Sequence, residues 1–100
     1  MKISIQPAAL VDLRRGFRFY ERQQAGLGMY FLDSLYSDID SLRLFAGIHP
    51  VQFGKFLRLL SKRFPFAVYY EVKDDTASVR AVLDLRRDPA WIAGKLEKRK

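Results

Sequence analysis

The residues of this sequence best equipped for chemistry are arginines, tyrosines and one glutamate in its second half. In Phe66-Ala67-Val68-Tyr69-Tyr70-Glu71-Val72, Tyr69 and Glu71 fall on the opposite alternation from Phe66, Val68, Tyr70 and Val72. Further on, Arg80 and Arg86 alternate away from Val79 and Leu83. Successive side chains of an extended chain point to opposite faces, so these polar residues gather on one surface if the strands lie side by side. On that surface Arg58, Arg63, Arg80 and Arg86 would orient a phosphate and offset the charge of a developing phosphorane. Glu71 or a tyrosine such as Tyr70 would move the proton. Ordinary sheet decoration accounts for the same residues, with Arg80 paired across strands to Glu71 or Asp84.

Arg58, Lys62 and Arg63 bracket a strand end, and with Arg86 and Arg87 they are the expected target contacts, because a planar guanidinium binds phosphate or carboxylate through two hydrogen bonds. An acidic partner segment, or plain solubility, would use the same charges. Arg14, Arg18 and Arg22 recur every four residues on one helix face and read as a solvated stripe or as a partner contact. Trp91 is expected to anchor a C-terminal helix, with displacement by a partner as the alternative. His49 precedes Pro50 and has no acidic or histidine neighbour at ligand spacing, which favours a surface or turn role. Tyr20, Tyr30 and Tyr36 sit among helical apolar positions and read as core or groove residues. Gly26 and Gly28 lack the strand, helix and following Lys-Ser/Thr of a phosphate loop. Cysteine is absent and His49 is the only histidine, so no metal site is expected, and no cofactor is expected either.

The elements that must position these residues follow from periodicity. Ile3 and Ile5 alternate with polar residues as a short strand, and Pro7 suits the first turn of a helix running to about Gln24. Leu10, Leu13, Phe17 and Tyr20 form its apolar stripe. Ala25-Gly26-Leu27-Gly28 breaks the chain before a second helix whose face carries Phe31, Leu35, Ile39, Leu42 and Ala46, closed by a left-handed Gly47. Pro50 ends the helical pattern. From Lys55 the period changes to two. Phe56 to Leu60, Phe66 to Val72 and Val79 to Leu85 read as consecutive strands, with Asp74-Asp75-Thr76 turning between the last two. Asp88-Pro89 caps a short helix carrying Trp91, Ile92 and Leu96, and Lys95 to Lys100 reads as a solvated basic end. The expected fold is α+β: an N-terminal helical hairpin packed on a curved antiparallel meander, with a short C-terminal helix.

One hundred residues make room for one domain, residues 1–100, with 49% hydrophobic side chains to build its core. No uninterrupted apolar run of about 18 residues occurs and the N-terminus lacks the apolar stretch of a secretory signal, so the reading is a soluble, cytoplasmic protein without a membrane partner. The net charge is +7 and the isoelectric point about 10.0, which favours an anionic partner. The excess lies in the second half, with twelve Lys/Arg against six Asp/Glu in residues 51–100. A plain basic nucleic-acid-binding domain would also fit the charge, although no binding motif accompanies it.

The segment Asp12-Leu13, Gly16, Tyr20-Glu21, Gln24-Ala25-Gly26-Leu27-Gly28, Phe31 resembles the helical hairpin of ParE-like toxins. Arg63-Phe64-Pro65-Phe66-Ala67-Val68-Tyr69-Tyr70-Glu71-Val72 and Val82-Leu83-Asp84-Leu85-Arg86-Arg87-Asp88-Pro89 look like the central strand and the final strand with its tail in the RelE/ParE superfamily. The resemblance implies the toxin half of a type II toxin-antitoxin pair, linked with plasmid stabilization, that arrests growth when free. It also implies a cognate acidic antitoxin as partner, expected on Arg14, Arg18, Arg22 and Trp91. The superfamily's ribonuclease branch cuts messenger RNA on the ribosome and usually carries a tyrosine or histidine near the end of the last strand. The present strand runs into Arg86-Arg87-Asp88-Pro89-Ala90-Trp91, which leans towards the branch that poisons DNA gyrase without catalysis.

Overall fold

The computed structural model describes residues 1–99. Its elements run in the order β1 (Lys2–Ile5), α1 (Pro7–Gln23), α2 (Leu27–Asp40), a single-turn α3 (Leu42–Phe45), β2 (Val51–Gln52), β3 (Phe56–Leu60), β4 (Phe66–Lys73), β5 (Thr76–Asp84) and α4 (Pro89–Glu97). Pro7 opens α1, where its missing N–H leaves no bond unmade. Between α1 and α2, Gly26 has φ +91°, a left-handed conformation that suits a residue without Cβ. The Glu21 carboxylate accepts from the N–H of Gly26 at 3.1 Å and of Gly28 at 2.9 Å, which satisfies donors that α2 leaves free at its start. Asp74 and Asp75, at φ 51° and 58°, make the two-residue turn between β4 and β5.

The sheet differs from the expected meander. Its strand order is β1-β5-β4-β3-β2, and only β2 to β5 are antiparallel neighbours. β1 runs parallel to β5, with Lys2 opposite Thr76 and Ile5 opposite Val79, so the five-stranded sheet is mixed. β5 is thereby an interior strand over residues 76–79. Local alternation at Ile3 and Ile5 reveals a strand but carries no information on which distant edge it will satisfy. The second helix is also shorter than its apolar stripe suggests. It ends at Asp40, and Leu42 reaches the core from the separate turn α3. Ala46 lies beyond it, while Gly47 takes the left-handed φ of +100°.

Both faces of the sheet are covered. On one, Ala9, Leu13, Tyr20, Phe31, Leu35 and Ile39 of α1 and α2 pack on Phe66, Val68, Tyr70, Val79 and Val82. Gly16 lets the helices approach the ring of Phe31, which would lie 2.4 Å from an added Cβ. On the other, Ile92 and Leu96 of α4 cover Phe56, Ala67, Tyr69, Ala81 and Leu83. Tyr69, expected on a polar surface, is therefore only 1% exposed, whereas Val72, expected in the core, is 39% exposed at the strand's far end. The register slips at Tyr69 and Tyr70, which pair with Ala81 and Val79, so Arg80 is an extra residue in β5. Such a bulge bends the strand and re-aims the side chain it adds.

Candidate functional site

Three of the residues expected to handle phosphate meet beside α4. Arg58 pairs directly across β3 and β4 with Tyr69 and so shares its face, the face Glu71 also occupies two residues on. The bulge turns Arg80 onto that face, where its Nε lies 3.4 Å from Glu71 Oε1, and Lys55 Nζ approaches the same oxygen at 3.6 Å. Two cations thus flank one carboxylate, with Arg58 opposite the neighbouring Tyr69. The Arg80 to Glu71 approach lacks hydrogen-bond alignment: Arg58 Nε, Arg80 Nε and Glu71 Oε1 are buried and make no hydrogen bond among the described residues. Buried donors of this kind favour an anionic oxygen in front of them. Burial raises the Tyr69 hydroxyl above its ordinary value even though Arg58 beside it acts in the opposite sense, so Tyr69 keeps its proton at neutral pH.

Arg63 and Arg86 do not join this group. Arg63 is exposed in the loop between β3 and β4 with Lys62. Arg86 is clamped on Asp84, its Nε at 3.0 Å and its Nη2 at 2.7 Å from the two carboxylate oxygens. Burial pushes the Asp84 carboxyl up, but the Arg86 side chain and backbone and the nearby Arg87 outweigh it and hold the group below its ordinary value. Tyr70 is also removed from the chemistry. It faces the helical core with no exposure, accepts the Gly47 N–H at 3.0 Å and bonds His49 Nδ1. Burial shifts His49 downward and Tyr70 upward, and the histidine serves the loop as expected.

The expected target contacts divide accordingly. Phe66 pairs with Asp84, and the Leu85 N–H donates to Pro65 O at 2.8 Å, which brings the Lys62/Arg63 loop and the Arg86/Arg87 turn to one end of the sheet. Arg58 lies inward of that end. Arg87 stacks on Trp91, 3.8 Å from the ring centroid, with Lys95 on the same ring at 5.4 Å. Arg14, Arg18 and Arg22 are exposed on α1, and among the described residues no hydrogen bond or ion pair holds them. Tyr20 is buried as expected, but Tyr30 and Tyr36 are 49% and 41% exposed.

Between α1 and α4 lies a groove of about 320 Å3 that the sequence reading missed. β1 pairs with β5 only to Val79, so the edge of β5 beyond it is open. Asp12 takes one donor of that edge, accepting the Val82 N–H at 2.9 Å. Its carboxylate also holds Arg99, whose Nη2 is 3.0 Å from Oδ1 and which donates to the Arg80 carbonyl as well. The basic C-terminus is therefore not all solvated: Arg99 ties it back to α1. Phe19, Phe66 and Trp91 supply apolar walls, and Arg15, Arg87 and Lys95 the rim. One sign of this was present in the sequence, since Asp12 stands at helical spacing between Ala9 and Gly16 on the buried side of α1.

Among the described residues no group of histidine, cysteine or carboxylate side chains could hold a metal ion, and no helix is long and apolar enough to cross a membrane. No protein-family model matches the sequence, and no curated protein matches it. Among solved structures, the chain is similar to one from the chromosomal ParDE TA system of P. aeruginosa, with a TM-score of 0.79 at 16% identity. The likeness covers 85% of this chain and 96% of that one, so the arrangement of helices and mixed sheet described above is the fold of that ParDE chain.

Proposed function

We propose that this chain is the toxin of a type II toxin-antitoxin pair and that it acts as ParE-like toxins do, by binding DNA gyrase. The fold shared with a chain of the ParDE system over nearly that chain's whole length carries this reading. The sheet end carrying Lys62, Arg63, Arg86 and Arg87 is the target contact. The last strand leads into a turn where Arg86 is spent on Asp84 and no tyrosine or histidine stands, which supports binding over cleavage at that end. The groove beside Trp91 takes the acidic antitoxin: an open strand edge offers backbone pairing, the aromatic walls take apolar side chains, and Arg15, Arg87 and Lys95 meet carboxylates. Arg14, Arg18 and Arg22 extend that contact along α1.

A second reading rests on the convergence of Arg58, Glu71 and Arg80 with Lys55 and Tyr69. In it the chain is a ribosome-dependent messenger endoribonuclease: the guanidiniums hold the scissile phosphate, and Glu71 takes the attacking hydroxyl's proton and passes it to the leaving oxygen. Controlled expression without antitoxin, followed by labelled DNA and protein precursors over the first minutes, separates the two. DNA synthesis falling first is the expected result. Protein synthesis falling first rejects gyrase as the target and makes Arg58, Glu71 and Arg80 the residues to mutate as candidate catalysts.

A further inference from the structure

Asp38 is a buried carboxylate that neither basic surface uses. It is 5% exposed, and among the described residues its carboxylate meets no cation and accepts one hydrogen bond, from Ser61 Oγ at 2.7 Å. It also stands in the last turn of α2, where free carbonyls already gather partial negative charge. A buried charge with so little compensation is less stable there than an apolar side chain of similar size. Helix stability therefore gives no reason for a carboxylate at this place, whereas its partner does.

Ser61 opens the loop between β3 and β4. Its hydroxyl donates to Asp38 and accepts the Phe64 N–H at 3.4 Å, so the carboxylate fixes the direction of the proton and leaves the oxygen's lone pairs to close the turn from Ser61 to Phe64. Packing sets the other end of that turn. The Phe64 ring lies 4.8 Å from the ring of Tyr20, 5.1 Å from Phe31 and 5.5 Å from Tyr30. Both anchors thus come from the two long helices, and the residues left between them, Lys62 and Arg63, are exposed.

We infer that Asp38 is a positioning residue, which through Ser61 holds the Lys62–Arg63 turn in the shape that meets the target. The inference rests on the proposed use of this sheet end for target contact. Two long cations on a loose turn must be ordered when the target binds; a turn fixed beforehand avoids that cost, which for two such side chains amounts to about tenfold in affinity.

Backbone amide relaxation of the full chain, together with growth arrest on expression without antitoxin, tests the inference. In Asp38→Ala and in Ser61→Ala the order parameters of Lys62 and Arg63 should fall from about 0.85 to below about 0.6, while those of α1 and β4 hold. The level of expression that gives half-maximal arrest should rise about tenfold in each. Asp38→Asn still accepts the Ser61 proton and should stay within about twofold of wild type, and Asp38→Ala combined with Ser61→Ala should be no worse than either alone. Thermal midpoints should remain within about 5 °C of wild type, and one variant suffices if the other falls further. Larger losses in both make Asp38 a residue of the fold and overturn the inference. Unchanged loop order overturns it whatever happens to growth, as does a loosened loop with undiminished arrest when Lys62→Ala with Arg63→Ala relieves it. If that pair leaves arrest intact while Asp38→Ala still loosens the loop, the target-contact reading fails and the positioning role falls with it, although the anchoring by Asp38 stands.

Discussion

Replacing Asp12 with alanine would test whether α1, the open edge of β5 and the C-terminus are held together by one carboxylate. Asp12 is 6% exposed, accepts the Val82 N–H and pairs with Arg99, whose side chain is 13% exposed. Its loss leaves the buried Val82 donor without a partner, a cost of about 1–3 kcal/mol. It also strands Arg99; breaking a buried pair costs about 3–5 kcal/mol, but this guanidinium lines a second, open depression beside Gln6, Pro7 and Lys98 and can turn to water, so the lower end or less applies. A total of about 3 kcal/mol is expected, a large share of the roughly 5–15 kcal/mol that small domains possess. For a chain of this length that lowers the thermal midpoint by roughly 10–25 °C. Asp12→Asn keeps an acceptor for Val82 and should lose about half as much. Arg99→Ala should cost about 1 kcal/mol, because water in the groove can replace the guanidinium on Asp12. A double-mutant cycle should then give a coupling of about 1 kcal/mol between Asp12 and Arg99. An Asp12→Ala protein within about 0.5 kcal/mol of wild type in urea unfolding would refute the reasoning, since an exposed residue costs no more than that.

Other expectations follow from the same geometry. Gly16→Ala drives a methyl into the buried Phe31 ring and should destabilise by about 1–3 kcal/mol in thermal melts; a neutral result would mean the helices separate easily. Burial holds His49 below its ordinary 6.5, so the unfolded chain binds a proton the folded chain refuses. The stability from this site is present above that pH and lost as pH falls through the folded value. Urea midpoints compared at pH 7.5 and 5.5 should therefore drop more for wild type than for His49→Asn, and equal drops would exclude the histidine as the cause. Binding of an acidic antitoxin in the groove should alter Trp91 fluorescence and weaken with salt, whereas a salt-independent affinity would place that partner elsewhere. If the chain poisons gyrase, Arg58→Ala and Arg80→Ala should leave growth arrest largely intact while Arg63→Ala with Arg87→Ala relieves it; the reverse pattern in colony counts points to message cleavage.

Much of the layout was legible from periodicity. The amphipathic stripe of α1, the Gly26 break, the two-aspartate turn and the Asp88 cap of α4, whose carboxylate accepts the Ala90 N–H at 2.7 Å, all appear where local chemistry puts them. The candidate site was legible in part. Alternation correctly set Tyr69 and Glu71 apart from Tyr70, but Arg80 reaches Glu71 through a bulge, and a bulge depends on pairing between two strands. Arg63 was grouped with that cluster on charge and Arg86 on its alternation away from Val79 and Leu83, and neither signal says that Asp84 would capture Arg86 first.

What the sequence determined by itself is what short-range physics controls: helix and strand periods, turn residues, caps, and a basic surface set by composition. What only the tertiary structure decided is pairing between distant segments: β1 lying parallel on β5, α4 burying Tyr69, Asp12 meeting Val82 and Arg99, and Tyr70 anchoring the loop at His49. Each of these joins residues 21 or more positions apart. Propensity and alternation act over a turn or a strand, whereas such contacts form because a buried edge donor, a carboxylate or a hydroxyl must find its partner once the core has closed.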